Sequence, residues 1–356
     1  MGRKDLVLFL GSGATHAADN DLPCDGAFFK SEKVRNKLKD YCVLQKLLED
    51  VPALKSDSLF GTWNNLFIYR GLSLAGLVHG IRYKGIESFL KECGPRYAYE
   101  LKALDCPFNV DKTNEYKYAE IAIREVRHLV VDVYQNRDVA KCHGQYLHLW
   151  SKIGHRVSAV VNLNYDSTFD RSFEGPDIPF FYPGKAVGSA IPFVRPHGSL
   201  DWSVERKFGV GEGWRTYVSG YRQTPRGEMG FGPTSDEKIL SYKAPLIVDD
   251  NEFKEQIVGN STIGGFQDST IRQQWVTLKE ILEKAGEWLF YGWSIESGDN
   301  HLKYLLREHS RGKTIQATLH NKPEECRFGE SFPDASSVCY HKVGDSMESF
   351  LFDQDI

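Results

Sequence analysis

The chain predicts an α/β protein: a doubly wound, mostly parallel, Rossmann-like sheet with a helical insertion between the first and second core strands. Three observations predict it. The apolar run Asp5-Leu-Val-Leu-Phe-Leu10 ends at glycines, as a strand buried on both faces does. From Val157 onward, β-rich runs alternate with helical stretches. Between these regions, residues 27–153 read mostly as helix, more than one crossover needs. Residues 1–26 and 154–356 are therefore expected to form the sheet domain, and 27–153 a helical insertion subdomain.

Taken in order, the insertion carries helical periodicity most clearly at 115–134, where Tyr118, Ile121, Leu129 and Val133 recur at helical spacing. Segments 62–80 and 140–153 have the same character. Phe60, Trp63, Phe67 and Tyr69 crowd one stretch of it, which points to a cleft cover or an oligomer contact. The sheet resumes at Val157-Ser-Ala-Val-Val-Asn162, and an extended piece, Pro192-Phe-Val-Arg-Pro196, leads into His197. Residues 205–248, rich in Gly, Pro and aromatics, read as a loop or β-ribbon excursion. A helix at 270–286, a strand at Trp288–Tyr291, a helix at 299–309 and a strand at 314–319 follow. Strand 337–342 and a short helix at 345–352 close the chain.

Composition narrows the function classes. With 41% hydrophobic and 26% charged residues, the 356-residue chain reads as an ordinary globular protein. Its net charge of −4 gives no reason to expect nucleic acid or an anionic membrane as a direct partner. The first residues do not read as a signal peptide, and no run reaches the roughly 18 apolar residues a membrane span needs. A cytoplasmic protein is expected. Its seven scattered cysteines contain no close pair, so reduced and mostly buried thiols are expected. No metal site is expected either, since Glu125-x-x-His128 occurs once, without the second copy a di-iron site requires.

Four short segments carry the chemistry. Gly11-Ser12-Gly13-Ala14-Thr15 follows the first strand, where glycines let backbone amides approach a pyrophosphate at a helix N-terminus. The same pattern also serves as a plain turn. Asn164-Tyr165-Asp166 ends the second core strand, and Asp166 would equally cap a helix at 167–173. His197, between Pro196 and Gly198, sits in a sharp turn that can aim an imidazole at a cleft. Gly292-Trp293-Ser294 and Asn321 end later strands, so all of these residues belong to loops at the carboxyl edge of one sheet.

This motif order resembles the sirtuin-like NAD-binding family: strand–Gly-x-Gly, Asn-x-Asp, His-Gly, Gly-x-Ser, strand-end Asn. The form His197-Gly-Ser-Leu-Asp-Trp202 and the run from Gly292 through Asp299-Asn-His-Leu302 look like its prokaryotic NAD-hydrolysing, anti-phage branch. The resemblance implies catalytic roles for Asn164 and His197 and places Asp166 at the nicotinamide amide. It gives Gly11, Ser12, Gly13, Ala14 and Thr15 to the pyrophosphate side, and Gly292, Ser294 and Asn321 to the adenosine half. Leu163 stands where deacylases have Gln, and the four zinc cysteines of deacylases are missing. Water is then the expected acceptor, without metal, and NAD+ the substrate, cleaved to nicotinamide and ADP-ribose.

An effector of abortive infection held in check by assembly or a partner is the implied biology. A homo-oligomer and a HerA-like ATPase or short Argonaute are the partners that analogy offers. Two alternatives stay open: an NAD-dependent protein deacylase or ADP-ribosyltransferase, and a non-catalytic NAD-binding sensor subunit. Asn164 and His197 are expected on loop ends outside the core, where substitution shifts stability by no more than about 1 kcal/mol.

Overall fold

Leu6–Leu10 (β1) lies at the centre of a seven-stranded sheet ordered β11-β10-β9-β1-β2-β4-β3, every adjacent pair parallel. The computed structural model describes residues 5–59, 61–63, 65–66, 68–70, 113–135, 139–173, 180–181, 190–209, 213–219, 232–233, 242–247, 269–293, 300–319 and 328–342. The other strands of this sheet are Val157–Asn162 (β2), Phe180–Phe181 (β3), Ile191–Val194 (β4), Glu287–Tyr291 (β9), Thr314–Leu319 (β10) and Ser337–Lys342 (β11). This is the predicted doubly wound parallel sheet. The expected closing helix at 345–352 lies outside the described residues.

Strand alternation sorts the core into two faces. Leu6, Leu8 and Leu10 pack with Val160, Leu289 and Tyr291 beneath Ser12–Ala18 (α1) and Val139–Ile153 (α5). Val7 and Phe9 point to the opposite face, with Ala159, Trp288, Phe290 and Ile315. There Leu278, Ile281 and Leu282 of Ser269–Lys284 (α7) and Leu302 and Leu306 of Asn300–His309 (α8) cover them. Burial on both faces is why β1 reads as an unbroken apolar run. The excursion begins earlier than position 205: Gly198–Gly209 (β5) starts directly after His197. With Gly213–Ser219 (β6), Gly232–Pro233 (β7) and Tyr242–Ile247 (β8) it forms an antiparallel sheet ordered β6-β5-β8-β7.

The chain divides into two compact units, Met1–Cys24 with Tyr134–Ile356, and Asp25–Val133. Helix α5 contributes Cys142, Tyr146, Leu149 and Ile153 to the core of the sheet unit. In the unit Asp25–Val133, Glu32–Leu38 (α2), Cys42–Asp50 (α3) and most of Thr113–Gln135 (α4) supply the helices. The Glu125 carboxylate accepts the Leu44 amide at 2.6 Å and so satisfies a first-turn donor of α3 that has no intrahelical partner. Burial pushes the Glu125 carboxyl up, against the opposing pull of the Leu44 and Val43 amides. Tyr41 donates to Asp132 at 2.7 Å, and burial followed by that carboxylate keeps the phenol protonated.

Two expectations change here. Trp63 and Tyr69 are buried, so these two aromatics fill a core and are not exposed surface; Phe60 and Phe67 lie outside the described residues. Of the described cysteines only Cys142 is buried, whereas Cys42 and Cys339 are exposed and Cys24 is half-buried. A polar helix start and an edge strand place those thiols at the surface, overriding the residue's burial tendency. No helix among the described residues is long and apolar enough to cross a membrane.

Phe290 anchors the second face. It stacks on Phe9 at 4.3 Å between ring centroids and also meets Trp293 and Phe328. Phe290→Ala should lower unfolding free energy by about 3–5 kcal/mol in urea titrations. Val276→Ala, at a position 51% exposed, should change it by no more than about 0.5 kcal/mol.

Candidate functional site

Strand register sets the site. Leu10 is level with Asn162 of β2 on one side and with Tyr291 of β9 on the other. Val161 is level with Val194, and Phe290 with Ala317. The residues that follow these strand ends therefore emerge in one row: Gly11, Leu163–Asn164, Arg195–His197 and Gly292. Between β1 and β9 the chain's progress across the sheet reverses, the position where open α/β sheets take their ligands.

At that reversal two turns lock backbone to backbone. The Gly11 amide donates to Tyr291 O at 2.9 Å, Gly13 N to Gly292 O at 2.8 Å, and Ala14 N to Gly11 O at 2.9 Å. A Cβ on Gly11 would stand 2.4 Å from Gly292 O, and one on Gly13 2.9 Å from the same oxygen. Gly292 has φ +66°, and a Cβ there would stand 2.0 Å from Ala14 N. These glycines admit the close approach of another segment of the chain. Gly292 N in turn donates to Thr318 Oγ1 at 2.9 Å.

One hydroxyl joins the next residues. Thr15 Oγ1 donates to Asp166 Oδ2 at 2.9 Å, which commits its single proton. Asn164 Nδ2 at 3.0 Å and the Tyr146 hydroxyl at 3.3 Å must then both donate into Thr15 Oγ1. Burial, reinforced by the Asp166 charge, holds the Tyr146 phenol well above the usual tyrosine range, so it remains a neutral donor. Asn164 Nδ2 also donates to Gly11 O at 2.9 Å. The Asp166 Oδ1 atom accepts Thr168 N at 2.9 Å, the first amide of the short helix Thr168–Arg171 (α6), whose N-cap is Ser167.

His197 Nδ1 lies 3.2 Å from Leu163 O, and its ring centroid 6.3 Å from that of Tyr165. Gly198, at φ +78°, turns the chain so that its amide donates to Arg195 O at 3.1 Å. Helix α7 supports this turn: Gln274 Oε1 accepts Arg195 N at 2.8 Å, and Trp275 Nε1 donates to Pro196 O at 3.2 Å. Arg195 is fully buried. Its Nη1 donates to Asn164 O at 3.1 Å and Asp166 O at 2.9 Å, while Nη2 pairs with Asp170.

The structure thus brings together Gly11, Gly13, Ala14, Thr15, Asn164, Asp166, His197 and Gly292, with half-buried Ser12 on the same turn. Ser294 and Asn321 lie outside the described residues. Asn164 is 7% exposed and His197 2%, so the expectation of loop-end side chains outside the core is overturned. Both turns fold back under neighbouring elements. Sequence reasoning missed Arg195 and Tyr146. A charged residue inside the extended run 192–196 was the available signal for Arg195, and Tyr146 offered none. Among the described residues no group of three or more His, Cys, Asp or Glu is placed to hold a metal ion.

No protein-family model matches the chain, and no curated protein matches it. Solved structures similar to it include a Sir2 homologue–NAD complex, at TM-score 0.38 and 12% identity over 98% of this chain and 88% of that one. A triple-mutant Sir2 homologue with 2′-O-acetyl ADP-ribose has TM-score 0.38 and 12% identity over 98% and 91%. A third, described as a structural basis for the mechanism and regulation of Sir2 enzymes, has TM-score 0.37 and 13% identity over 99% and 92%.

The glycine interlock has a direct test. Gly292→Ala and Gly312→Ala both put a side chain at positive φ, but a Cβ at Gly312 meets nothing within 4 Å. Gly312→Ala should cost about 1–2 kcal/mol, the left-handed penalty alone. Gly292→Ala should cost clearly more in the same denaturation assay, because the Ala14 backbone must also move. Equal losses would show that the two turns do not constrain each other.

Proposed function

We propose that the protein is a cytoplasmic NAD+ glycohydrolase, cleaving the nicotinamide–ribose bond to release nicotinamide and ADP-ribose. One observation carries the reading. Asn164, Asp166 and His197, the residues of the motif resemblance, emerge in one row with the Gly11–Thr15 and Gly292 turns at the chain-reversal point of a parallel sheet. The nucleotide would lie along that edge, with Gly11–Thr15 and Gly292 as its wall and Ser294 and Asn321 towards the adenosine.

The chemistry suits these groups. Glycosidic cleavage passes through an oxocarbenium-like state and releases neutral nicotinamide, so the site must orient the ribose, tolerate positive charge and supply water. Asn164 is held by two hydrogen bonds from its amide nitrogen, which leaves the carbonyl end of that rigid carboxamide to orient the ribose or the water. Asp166 supplies negative charge beside the developing cation and an acceptor for the nicotinamide amide. His197 is the proton acceptor for a ribose hydroxyl or water. With NAD+ as substrate, the fitting biology is an effector of anti-phage defence, silent until assembly or a partner such as a HerA-like ATPase or short Argonaute releases it.

A second reading, an NAD-binding subunit without turnover, is favoured by the burial of His197, which is 2% exposed. Incubating the protein with NAD+ and separating the products distinguishes the two. Free ADP-ribose and nicotinamide support hydrolysis; binding without products supports the sensor; acyl-ADP-ribose or modified protein points to transfer. His197→Ala and Asn164→Ala should each slow cleavage at least about 100-fold per folded molecule. Asn164→Ala should also cost about 1–3 kcal/mol, since it strips Gly11 O and Thr15 Oγ1 of a buried donor. Wild-type turnover in folded His197→Ala would remove the histidine from the mechanism.

A further inference from the structure

We infer that Arg195 is a positioning residue: it fixes the Asn164–Asp166 turn through its side chain and the His197 turn through its backbone, and so sets the spacing between them. Its catalytic consequence rests on the NAD-cleaving reading above; its geometry does not. The Nη1 donor bridges Asn164 O and Asp166 O, the two carbonyls that bracket the turn. Nη2 reaches Asp170 on α6, the helix that this turn starts. The same residue's carbonyl accepts Gly198 N and closes the turn carrying His197.

Arg195 is itself held from two sides. Its amide donates to Gln274 Oε1 of α7, and its guanidinium carbon lies 5.3 Å from the centroid of the Phe193 ring. A guanidinium suits this task because its donors form a rigid planar fork that serves several acceptors at fixed angles. A lysine ammonium would supply the charge, yet from one point it cannot hold both carbonyls and Asp170 in that arrangement. The charge of Asp170, 10% exposed, balances the arginine within the core. What remains is a geometric function: a turn 29 to 31 positions away is tied to the side chain, and the adjacent turn to the backbone, of one residue.

The test uses Arg195→Lys and the double variant Arg195→Met/Asp170→Leu. Replacing a buried ion pair by apolar residues of similar volume often preserves stability, so the double variant removes the clamp without leaving a lone charge. Amide exchange is read at Asn164 and Thr168, whose N–H groups are held by Asn162 Oδ1 and Asp166 Oδ1. In the double variant both should exchange at least about tenfold faster, while Val160 and Val161 in β2 keep their protection. Arg195→Lys should fall between it and wild type.

With NAD+, kcat should drop at least about tenfold while KM stays within about threefold, because misplaced reacting groups weaken the transition state more than nucleotide binding. Unchanged exchange at Asn164 and Thr168 in folded double variant overturns the inference, whatever the turnover. If the double variant does not fold, the lysine variant decides on the same two amides. A wild-type protein that cleaves no NAD+ would remove the functional reading and leave the exchange result to decide the positioning.

Discussion

The site depends on one contact between backbones: the β1–α1 turn pressed against the turn after β9. Three positions without side chains, Gly11, Gly13 and Gly292, make it possible, and the Gly13 N–Gly292 O bond closes it. A Cβ at any of them would meet main-chain atoms, which cannot swing aside as a flexible side chain does. Gly11 O, held in place by this contact, is the acceptor that fixes Asn164, and Thr15 lies four residues along the same turn and helix. The glycines therefore act first on the protein's own architecture. Any ligand at this edge meets a surface the interlock has already shaped.

A single hydroxyl then couples the polar residues. Thr15 Oγ1 receives Asn164 and Tyr146 and donates to Asp166, so no member can be altered without leaving another buried group short of a partner. Such a loss is worth about 1–3 kcal/mol in a protein interior. Site and fold are not separable here. The expectation that Asn164 and His197 lie outside the core failed because it treated strand-end loops as exposed. In this sheet the loops are roofed by α7 and by the start of the antiparallel excursion.

Much of the fold was legible because its signals are local. β1, β2 and β9 announce themselves as apolar or β-branched runs buried on both faces, and α4 and α7 as amphipathic periods. The strand ends, and so Gly11, Asn164, His197 and Gly292, followed from those runs. Arg195 and Tyr146 were not legible, since what makes them important is a contact across the chain: Tyr146 meets Thr15 over 131 positions, and Arg195 meets Asp166 over 29. The contact of Gly11 and Gly13 with the Gly292 turn was not legible for the same reason. A Gly-x-Gly after a strand records that something comes close, without recording whether it is a phosphate or a peptide.

The place of β1 in the chain has a consequence for biosynthesis. It leaves the ribosome first among the core strands, yet one of its neighbours arrives much later, with Asp5 meeting Gly286 across 281 positions. At typical elongation speeds that separation is roughly 15–60 s during which β1 has no β9 beside it. Through that interval an apolar central strand needs shelter, from a chaperone or from the helical segment synthesised next. The same delay means that a product of interrupted translation ending before Gly292 cannot assemble the site. Whatever activity resides there is withheld until the turn after β9 has been made.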